Sequence, residues 1–405
     1  MTKRIVSCLG IIAGVFILSS LASAQSSPLF GPNKYIRTTG KPNTYSDTFQ
    51  ACNAEAAYNL VAENGEGGRD RLSSASITLN GQEIIKEKEF NQQVDKIEKT
   101  VTLQTENTLD IKLQSGPGGF IKLSIQCVSG CLGVEITSPA NGTTINKSRA
   151  LIQGLLSHLS GESGIIVNSI MGQTQGTNFA AIVPLQQGQN SITATAADAC
   201  GYKVQDTITI NTETLQEPIR LTAIPSSGIP TLNVTLEAEA SLPAPISNYA
   251  WDLNGDGTPD QAGPTLSQLT TQYQNPGLYF PNVTITDTQG NTHEEITMVN
   301  VLPREEMDNL LGNKWTSMID ALRRGDTKTA LTQIATDSQA SYKTMFSALS
   351  GQLSFILATA REFSLVTITD RVAKYKLLAI EGGKTYSYEV IFIMDDNGLW
   401  KIKEF

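Results

Sequence analysis

Short runs in which apolar and polar residues alternate constrain this chain more than any other feature of its sequence. Leu109, Ile111 and Leu113 recur at every second position, and the apolar residues between positions 121 and 125 do the same. A period of two places such side chains on one face of a β-strand. The runs are separated by Gly, Asn and Pro, which form turns and interrupt strands. The pattern therefore predicts a mostly β protein built from antiparallel sandwiches.

The length of the chain, 405 residues, exceeds what one hydrophobic core normally supports. Changes in composition and periodicity divide it into five segments. We predict a signal peptide over residues 1–24, a first unit over 25–130, a second unit over 131–214, a third unit over 215–302 and a C-terminal unit over 303–405. The expected fold is a row of tandem immunoglobulin-like β-sandwiches followed by a small α+β domain.

The first 24 residues have the order of a secretory signal. Lys3 and Arg4 precede a short apolar run over residues 5–18, and Ala22-Ser23-Ala24 forms an A-x-A cleavage site. An uncleaved membrane anchor is the alternative, but the apolar run is short for a membrane span. We expect an exported mature chain without a transmembrane segment, located in the periplasm, at the cell surface or outside the cell.

Four cysteines follow the predicted cleavage site: Cys52, Cys127, Cys131 and Cys200. An even number of cysteines in an exported chain indicates two disulfides rather than a metal site. We favour Cys52–Cys127 with Cys131–Cys200, because each bond would then join the ends of one sandwich. The alternative, Cys127–Cys131 with Cys52–Cys200, would fasten the first unit to the second.

The formal net charge of −9 is spread along the chain and is not gathered in blocks. An acidic surface repels nucleic acid and anionic lipid, so neither is expected as a partner. The outer faces of the predicted strands are rich in Thr and Asn. Such faces would suit a protein or glycan partner at the cell surface, which the sequence does not identify.

Parts of the first two units resemble modules of exported bacterial proteins. In the first unit the resemblance covers the stretch from Arg71 to Gly119, which includes the hairpin signal Asn80-Gly81. In the second unit, Val134–Gly142 and Gly188–Ala196 are similar to immunoglobulin-like domains appended to secreted glycoside hydrolases and surface proteins. These resemblances imply β-sandwiches, and the module that the first unit resembles implies no activity.

Residues 218–302 resemble a polycystic-kidney-disease (PKD) domain, a seven-stranded immunoglobulin-like sandwich. The matching segments are Val234–Ala238, Tyr249–Asp252, Tyr273–Tyr279 and Val283–Gly290. The compact W-D-F-G-D-G of that family is opened here into the longer sequence WDLNGDGTPD. The resemblance implies the fold, and the longer loop is a departure from it.

This longer loop carries oxygen atoms at alternate positions, as a hard cation requires. The candidate calcium ligands are Asp252, Asn254, Asp256, the carbonyl of Thr258, and Asp260, around a turn at Gly257. The glutamate that completes an EF-hand loop is missing, because Gly263 stands at the twelfth position. A plain hairpin turn is the alternative, since Asp, Asn and Gly are ordinary turn residues. We predict a structural calcium ion that stiffens the loop.

In the C-terminal unit the apolar residues recur at helical spacing. Met307, Leu311 and Met318 would share one face of a first helix, Asp326 would cap a second, and a third would begin near Ser338. Four strands then continue to the end of the chain. Helices followed by an antiparallel sheet resemble the cone-shaped fold of the nuclear-transport-factor-2-like superfamily.

Enzymes of that superfamily place acidic residues or histidine inside the cone. The C-terminal unit has no histidine, and His158 and His293, the two in the chain, lie in different predicted units. No sequence pattern of a nucleophile elbow, a zinc hydrolase or a phosphate-binding loop occurs, so we expect no catalysis. The cone is expected to be filled. The alternative is a small hydrophobic-ligand pocket lined by Trp315, Tyr342 and Tyr386.

Together these features favour an exported, non-catalytic bacterial protein with a spacer, display or adhesive role. One alternative is a small-ligand carrier or an enzyme centred on the C-terminal cone. Another is an accessory subunit of a secretion or polysaccharide-degrading system that binds through the edge of a sheet.

Overall fold

The structure, a computed structural model, describes residues 25–114, 116–348 and 360–405. The predicted signal peptide, residues 1–24, lies outside the described residues. The protein is mostly β, with immunoglobulin-like sandwiches followed by a small α+β region, as the sequence predicts. Within the described ranges, no helix is both long enough and apolar enough to cross a membrane.

The first unit is a sandwich of two four-stranded antiparallel sheets. Strand β1 (Gln25–Ser26) comes first in the chain but pairs outside this sandwich. The eight strands of the sandwich are β2 (Phe30–Ile36), β3 (Asn43–Gln50), β4 (Ala57–Asn64), β5 (Ala75–Leu79), β6 (Gln82–Ile85), β7 (Lys96–Val101), β8 (Glu106–Leu113) and β9 (Phe120–Ser129). One sheet has the order β2-β9-β4-β7 and the other β3-β8-β5-β6. Every second residue of β8 is buried, because the predicted alternation turns Leu109, Ile111 and Leu113 inward. Asn80 and Gly81, with φ angles of 51° and 80°, close the predicted hairpin between β5 and β6.

The second unit is also a two-sheet sandwich. Its strands are β10 (Gly133–Ser138), β11 (Arg149–Ser157), β12 (Ser163–Val167), β13 (Ile170–Met171), β14 (Gln173–Gln175), β15 (Asn178–Pro184), β16 (Gly188–Asp198) and β17 (Lys203–Thr212). The sheets have the orders β10-β11-β15-β14 and β1-β17-β16-β12-β13. Strand β1 therefore belongs to this unit, although the predicted division puts its residues in the first unit. The beginning of the described chain is thus paired with the second sandwich.

The disulfides connect Cys52 with Cys200 and Cys127 with Cys131, so the preferred pairing of Cys52 with Cys127 and of Cys131 with Cys200 is wrong. The loop after β3 meets the turn after β16 across the boundary between two units, which brings the Cα atoms of Cys52 and Cys200 to 5.6 Å. Cys127 and Cys131 flank the end of β9, with Cα atoms 6.4 Å apart. Both Cα distances lie in the range that a disulfide requires.

The third unit contains β18 (Ile219–Ile224), β19 (Ser227–Gly228), β20 (Leu232–Ala240), β21 (Ile246–Asp252), β22 (Gln261–Gly263), β23 (Gln268–Tyr273), β24 (Gly277–Tyr279), β25 (Asn282–Asp287), β26 (Thr292–Ile296) and β27 (Val299–Val301). Two of its sheets, β18-β20-β23 and β22-β21-β25-β26, enclose a core in which Trp251 is fully buried. The Trp251 indole N–H donates to the carbonyl of Leu266 at 2.8 Å. The tryptophan therefore anchors the strand that leads into the acidic loop.

The C-terminal unit begins with helices, as its apolar spacing predicts. It contains α1 (Arg304–Arg323), α2 (Thr327–Leu331), α3 (Gln339–Ala348), β28 (Ala360–Thr369), β29 (Val372–Glu381), β30 (Lys384–Met394) and β31 (Trp400–Glu404). Met307, Leu311 and Met318 lie on the buried face of α1. The Asp326 carboxylate caps α2 by accepting from the Thr329 backbone N–H at 3.0 Å.

One sheet joins the third unit to the C-terminal unit. Its order is β24-β27-β19-β28-β29-β30-β31, and Gly228 of β19 pairs with Thr369 of β28 across the boundary. Next to this pairing, an Asp370 carboxylate oxygen accepts from the Ser226 backbone N–H at 2.8 Å and the Ser226 hydroxyl at 2.9 Å. Together with the Asp370 N–H, which donates to the Ser227 carbonyl at 2.9 Å, this pairing restricts the relative orientation of the two units more than a flexible linker would.

The two disulfides should contribute unequally to stability. Chain entropy predicts a loss of about 4–5 kcal/mol for the Cys52→Ser/Cys200→Ser double variant, because that bond closes a loop well over a hundred residues long. The Cys127–Cys131 bond closes only a short loop, so the Cys127→Ser/Cys131→Ser variant should lose about 2 kcal/mol of unfolding free energy. Urea unfolding of both variants measures the difference. A larger loss for the short loop would contradict this account of the bond between the units.

Candidate functional site

The acidic loop starts from Asp252, the last residue of β21, which is 3% exposed. One carboxylate oxygen accepts from the backbone N–H of Gly255 at 2.7 Å. The other accepts from the backbone N–H of Gly257 at 2.7 Å and from the side-chain amide of Asn282 at 3.1 Å. Since charge-assisted hydrogen bonds of this kind are strong, Asp252 holds the turn in place through the protein's own donors.

The outer part of the loop is ordered in the same way. The Asn254 side-chain carbonyl accepts from the Asp256 N–H at 2.8 Å, and the Asn254 amide donates to the Asp256 carboxylate at 3.0 Å. The Thr258 N–H, at 2.8 Å, lowers the pKa of Asp256. Asp260 accepts from the Leu253 N–H at 2.7 Å. Each predicted ligand side chain therefore accepts a hydrogen bond from within the loop.

The oxygens of the predicted ligand side chains accept hydrogen bonds from the loop itself, so Ca²⁺ would have to replace some of these donors. The carboxylates of Asp252, Asp256 and Asp260 do not all come within 4.8 Å of one another. An amide group of Asn254 also points at Asp256, where a cation would favour an oxygen. Calcium at this loop remains a prediction.

One group of side chains does converge as metal ligands would, at the boundary of the first two units. It consists of Cys52, Asp198 and Cys200. The two sulfurs are bonded to each other, so neither is a thiolate. Burial raises the pKa of Asp198, whose carboxylate accepts from the N–H groups of Cys200 and Tyr202 at 2.9 Å. This group secures a turn beside the disulfide.

The three residues of the predicted hydrophobic pocket do not come together. Trp315 and Tyr342 both contact Phe405, with ring centroids 5.1 Å and 4.9 Å away. Tyr386 is 43% exposed, and the ring contact found for it among the described residues is with Tyr388. Trp315 and Tyr342 are separated by the ring of Phe405, so the predicted arrangement is not formed.

Aromatic rings fill the interior of the C-terminal unit. Trp315 stacks on Phe363 at 5.0 Å, Phe363 stacks on Tyr375 at 4.5 Å, and Phe392 meets the edge of Tyr375 at 5.4 Å. The Tyr375 hydroxyl donates to Asp308 at 2.9 Å, and burial raises the pKa of Tyr375. Stacked and edge-to-face rings thus make up much of the described core of this unit.

A polar contact region, here called the interunit junction, lies where the second unit meets the C-terminal unit. Its centre is the ion pair between Glu162 and Lys314, 2.6 Å apart, with both side chains 8% exposed. The second Glu162 oxygen accepts from the Trp400 backbone N–H at 2.6 Å. Close contact continues at Gly164, where an added Cβ would lie 2.1 Å from the Asn397 carbonyl. The two surfaces therefore fit tightly around a buried charge pair.

The third unit completes the interunit junction through Asn300 of β27. This side chain is 1% exposed, and its amide donates to the Gln173 side-chain carbonyl at 3.0 Å. A second contact between these two units, in which Lys147 donates to the Glu294 carbonyl at 2.8 Å, is exposed. The second unit is thus contacted both by the third unit and by the C-terminal unit.

Sequence reasoning missed Glu162, Lys314 and Asn300. A signal exists for Lys314, because it stands three residues after Leu311 and four before Met318, on the apolar face of the predicted helix. No local pattern marks Glu162 or Asn300, since each acquires its role from a unit distant in the chain.

The calcium prediction can be tested by melting. Millimolar calcium should raise the melting temperature above that in chelator, because an ion would tie the acidic loop to β21. Asp256→Asn should abolish the difference while leaving the melting temperature in chelator unchanged. Equal melting temperatures of the unsubstituted protein in calcium and in chelator would end the proposal.

Lys401 should give the protein a pH-dependent stability. Burial, together with the nearby charge of Lys314, lowers the pKa of Lys401 to about 8. Between this value and the ordinary lysine pKa of about 10.4, the unfolded chain binds more protons than the folded one. The free energy of unfolding should therefore rise with pH above 8, by up to about 1 kcal/mol per pH unit.

The measurement is urea unfolding between roughly pH 7.5 and 9.5. This window lies below the range where Tyr58, whose pKa burial raises to about 12, would reverse the slope. Lys401→Met should flatten the rise, and the control Lys403→Met on the same strand should keep it. A slope unchanged by Lys401→Met would refute the assignment.

No protein-family model matches the sequence, and no curated protein matches it either. Among solved structures, the chain is similar to the fibronectin(III)-like modules of Clostridium thermocellum CbhA, with 16% identity, coverage of 43% of this chain and 96% of that chain, and a TM-score of 0.18. It is also similar to dimeric latent PorU from Porphyromonas gingivalis, with 10% identity, coverage of 67% of this chain and 32% of that chain, and a TM-score of 0.25. At TM-scores this low, neither similarity carries an argument about this chain.

Proposed function

We propose that this chain is an exported, non-catalytic structural or binding protein of a bacterial periplasm or cell surface. Its sandwiches would present broad strand faces to a protein or glycan partner, in an adhesive, display or spacer role. The two disulfides support an oxidising compartment. As part of this proposal, residues 218–302 form a PKD domain and the C-terminal unit has the nuclear-transport-factor-2-like cone fold.

One observation carries the proposal: the units are held to each other by buried contacts. The Glu162–Lys314 pair joins the second unit to the C-terminal unit, and Gly228 with Thr369 joins the third unit to it by backbone pairing. The Cys52–Cys200 bond fastens the first unit to the second. Units connected in this way move as one body, which suits a protein that holds a partner in a defined position.

The filled cone supports the non-catalytic part of the proposal. The Tyr375 side chain is fully buried, and its hydroxyl donates to Asp308, an exposed residue at the edge of this interior. The Tyr375 ring stacks on Phe363 and meets the edge of Phe392. A general acid or base must reach its substrate by a hydrogen bond.

The test is small-angle scattering of the mature chain, residues 25–405. The expected radius of gyration is that of the structure, and the scattering should fit one fixed arrangement of the units. Lys314→Met should separate the second unit from the C-terminal unit and increase the radius of gyration, because Glu162 would remain buried without its cationic partner at a cost of about 3–5 kcal/mol.

The matched control is Lys374→Met, which removes an exposed ion pair with Glu389 and should leave the scattering unchanged. Scattering of the unsubstituted protein as a string of independent units would contradict the proposal. So would turnover of any substrate by the purified chain that is lost in Asp308→Asn.

A further inference from the structure

Two cavities lie beside the Cys52–Cys200 disulfide, where the first, second and C-terminal units come together. Their volumes are about 870 Å³ and about 350 Å³, and Cys200 lines both of them. Cys52 is among the lining residues of neither cavity, although both cysteines are partly exposed. A small dissolved molecule can therefore approach the bond from the Cys200 side. The structural role proposed above uses this bond only as a closed link.

The smaller cavity has a surplus of positive charge. Lys314, Arg324 and Lys401 line it, whereas the one carboxylate among its described lining residues is that of Asp320. Glu162 balances the charge of Lys314, but Arg324 and Lys401 form no ion pair with the described residues. The rest of the protein is acidic, with a formal net charge of −9. A basic cavity attracts anions from solution, and the reactive form of a thiol is an anion.

A carboxyl group that can transfer a proton lies next to the same bond. A carboxylate oxygen of Asp198 is within 4.8 Å of both sulfurs. Asp198 is 8% exposed, and this burial raises the pKa of its carboxyl. Such a carboxyl holds a proton more readily than an exposed aspartate does, and it can give that proton to a nearby thiolate. The bond thus has an approach for an anion on one side and a proton donor beside it.

We propose that Cys200 is a site of thiol–disulfide exchange with a small anionic thiol. The thiolate attacks Cys200 Sγ and forms a mixed disulfide, while the bond to Cys52 breaks and its electron pair leaves with Cys52 Sγ. The Asp198 carboxyl protonates this leaving thiolate and recovers the proton that the attacking thiol lost on ionisation. The exchange therefore consumes one thiol and needs no other reductant. It releases the loop after β3 from the turn after β16.

The test treats the folded mature chain at low salt with mercaptoacetate, mercaptoethanol or cysteamine, which are anionic, neutral and cationic beside the thiol. Each rate is divided by the rate of the same thiol with neutral hydroxyethyl disulfide, so that intrinsic reactivity cancels. The relative rates should fall in that order, by about threefold for each step in charge. Peptide mapping should find the adduct on Cys200. An adduct on Cys52, no adduct on either cysteine, or relative rates that are equal or reversed would overturn the proposal.

Variants separate the two roles. Arg324→Gln removes a cation from the smaller cavity, so it should slow mercaptoacetate about threefold and leave mercaptoethanol unchanged. The control Lys403→Gln removes a cation that lines neither cavity and should change no rate. Asp198→Asn should slow all three thiols about tenfold and alter the pH profile of the exchange. A purely structural role for Asp198 predicts the opposite, because a loosened turn would expose the bond and speed the reaction. Faster or unchanged exchange in Asp198→Asn would refute its part in the reaction, and an unchanged mercaptoacetate rate in Arg324→Gln would refute the anion site.

Discussion

The buried ion pair between Glu162 and Lys314 is the contact on which the arrangement of the units depends. Removing a carboxylate and an ammonium from water costs several kcal/mol for each ion. Each side chain is only 8% exposed, and the described residues of its own unit supply no opposite charge to offset this burial. Each charge is acceptable because the other unit supplies its partner, with the Trp400 backbone N–H as a further donor. The second unit and the C-terminal unit therefore require one another in this orientation.

The third unit is held to the C-terminal unit by backbone pairing, not by an ion pair. Together, the two contacts leave a cavity between the three units. Backbone pairing at Gly228 and Thr369 fixes the angle between the third unit and the C-terminal unit. The Glu162–Lys314 pair independently fixes the second unit. Three convex bodies placed by separate constraints cannot also fill the space between them, whereas the interior of each sandwich packs densely. An interdomain cavity lined by both polar and apolar side chains is the geometric result.

The local parts of this fold could be predicted because they depend on short-range periodicity. Alternation identified β8, helical spacing identified α1, and Asn80-Gly81 identified a hairpin. The disulfide pairing could not be predicted in this way. Cys52 and Cys200 meet because two units lie side by side, and no pattern near either cysteine specifies that contact. Local chemistry determined the elements, and surfaces far apart in sequence determined their arrangement.

The same distinction between local pattern and distant contact applies to the candidate sites. The spacing identified the acidic residues of the loop, but it could not show that backbone N–H groups already donate to the Asp252 carboxylate. In the same way, apolar spacing placed Trp315 and Tyr342 in the interior of the C-terminal unit. It could not show that Phe405, the last residue of the chain, fills the space between them. The hydrophobic period shows which face of a helix or strand is buried, but it does not show which residue packs against that face.

Lys314 is an exception, because its position in the sequence alone indicates a contact between units. Helical spacing puts it on the buried face of α1, beside Leu311 and Met318. A lysine on such a face must either extend its charge to water or meet a carboxylate. Its neighbour Trp315 packs into the unit's own aromatic core, whereas Lys314 reaches the second unit. Helix α1 is thus buried on two sides, and the charged residue marks the side that another unit covers.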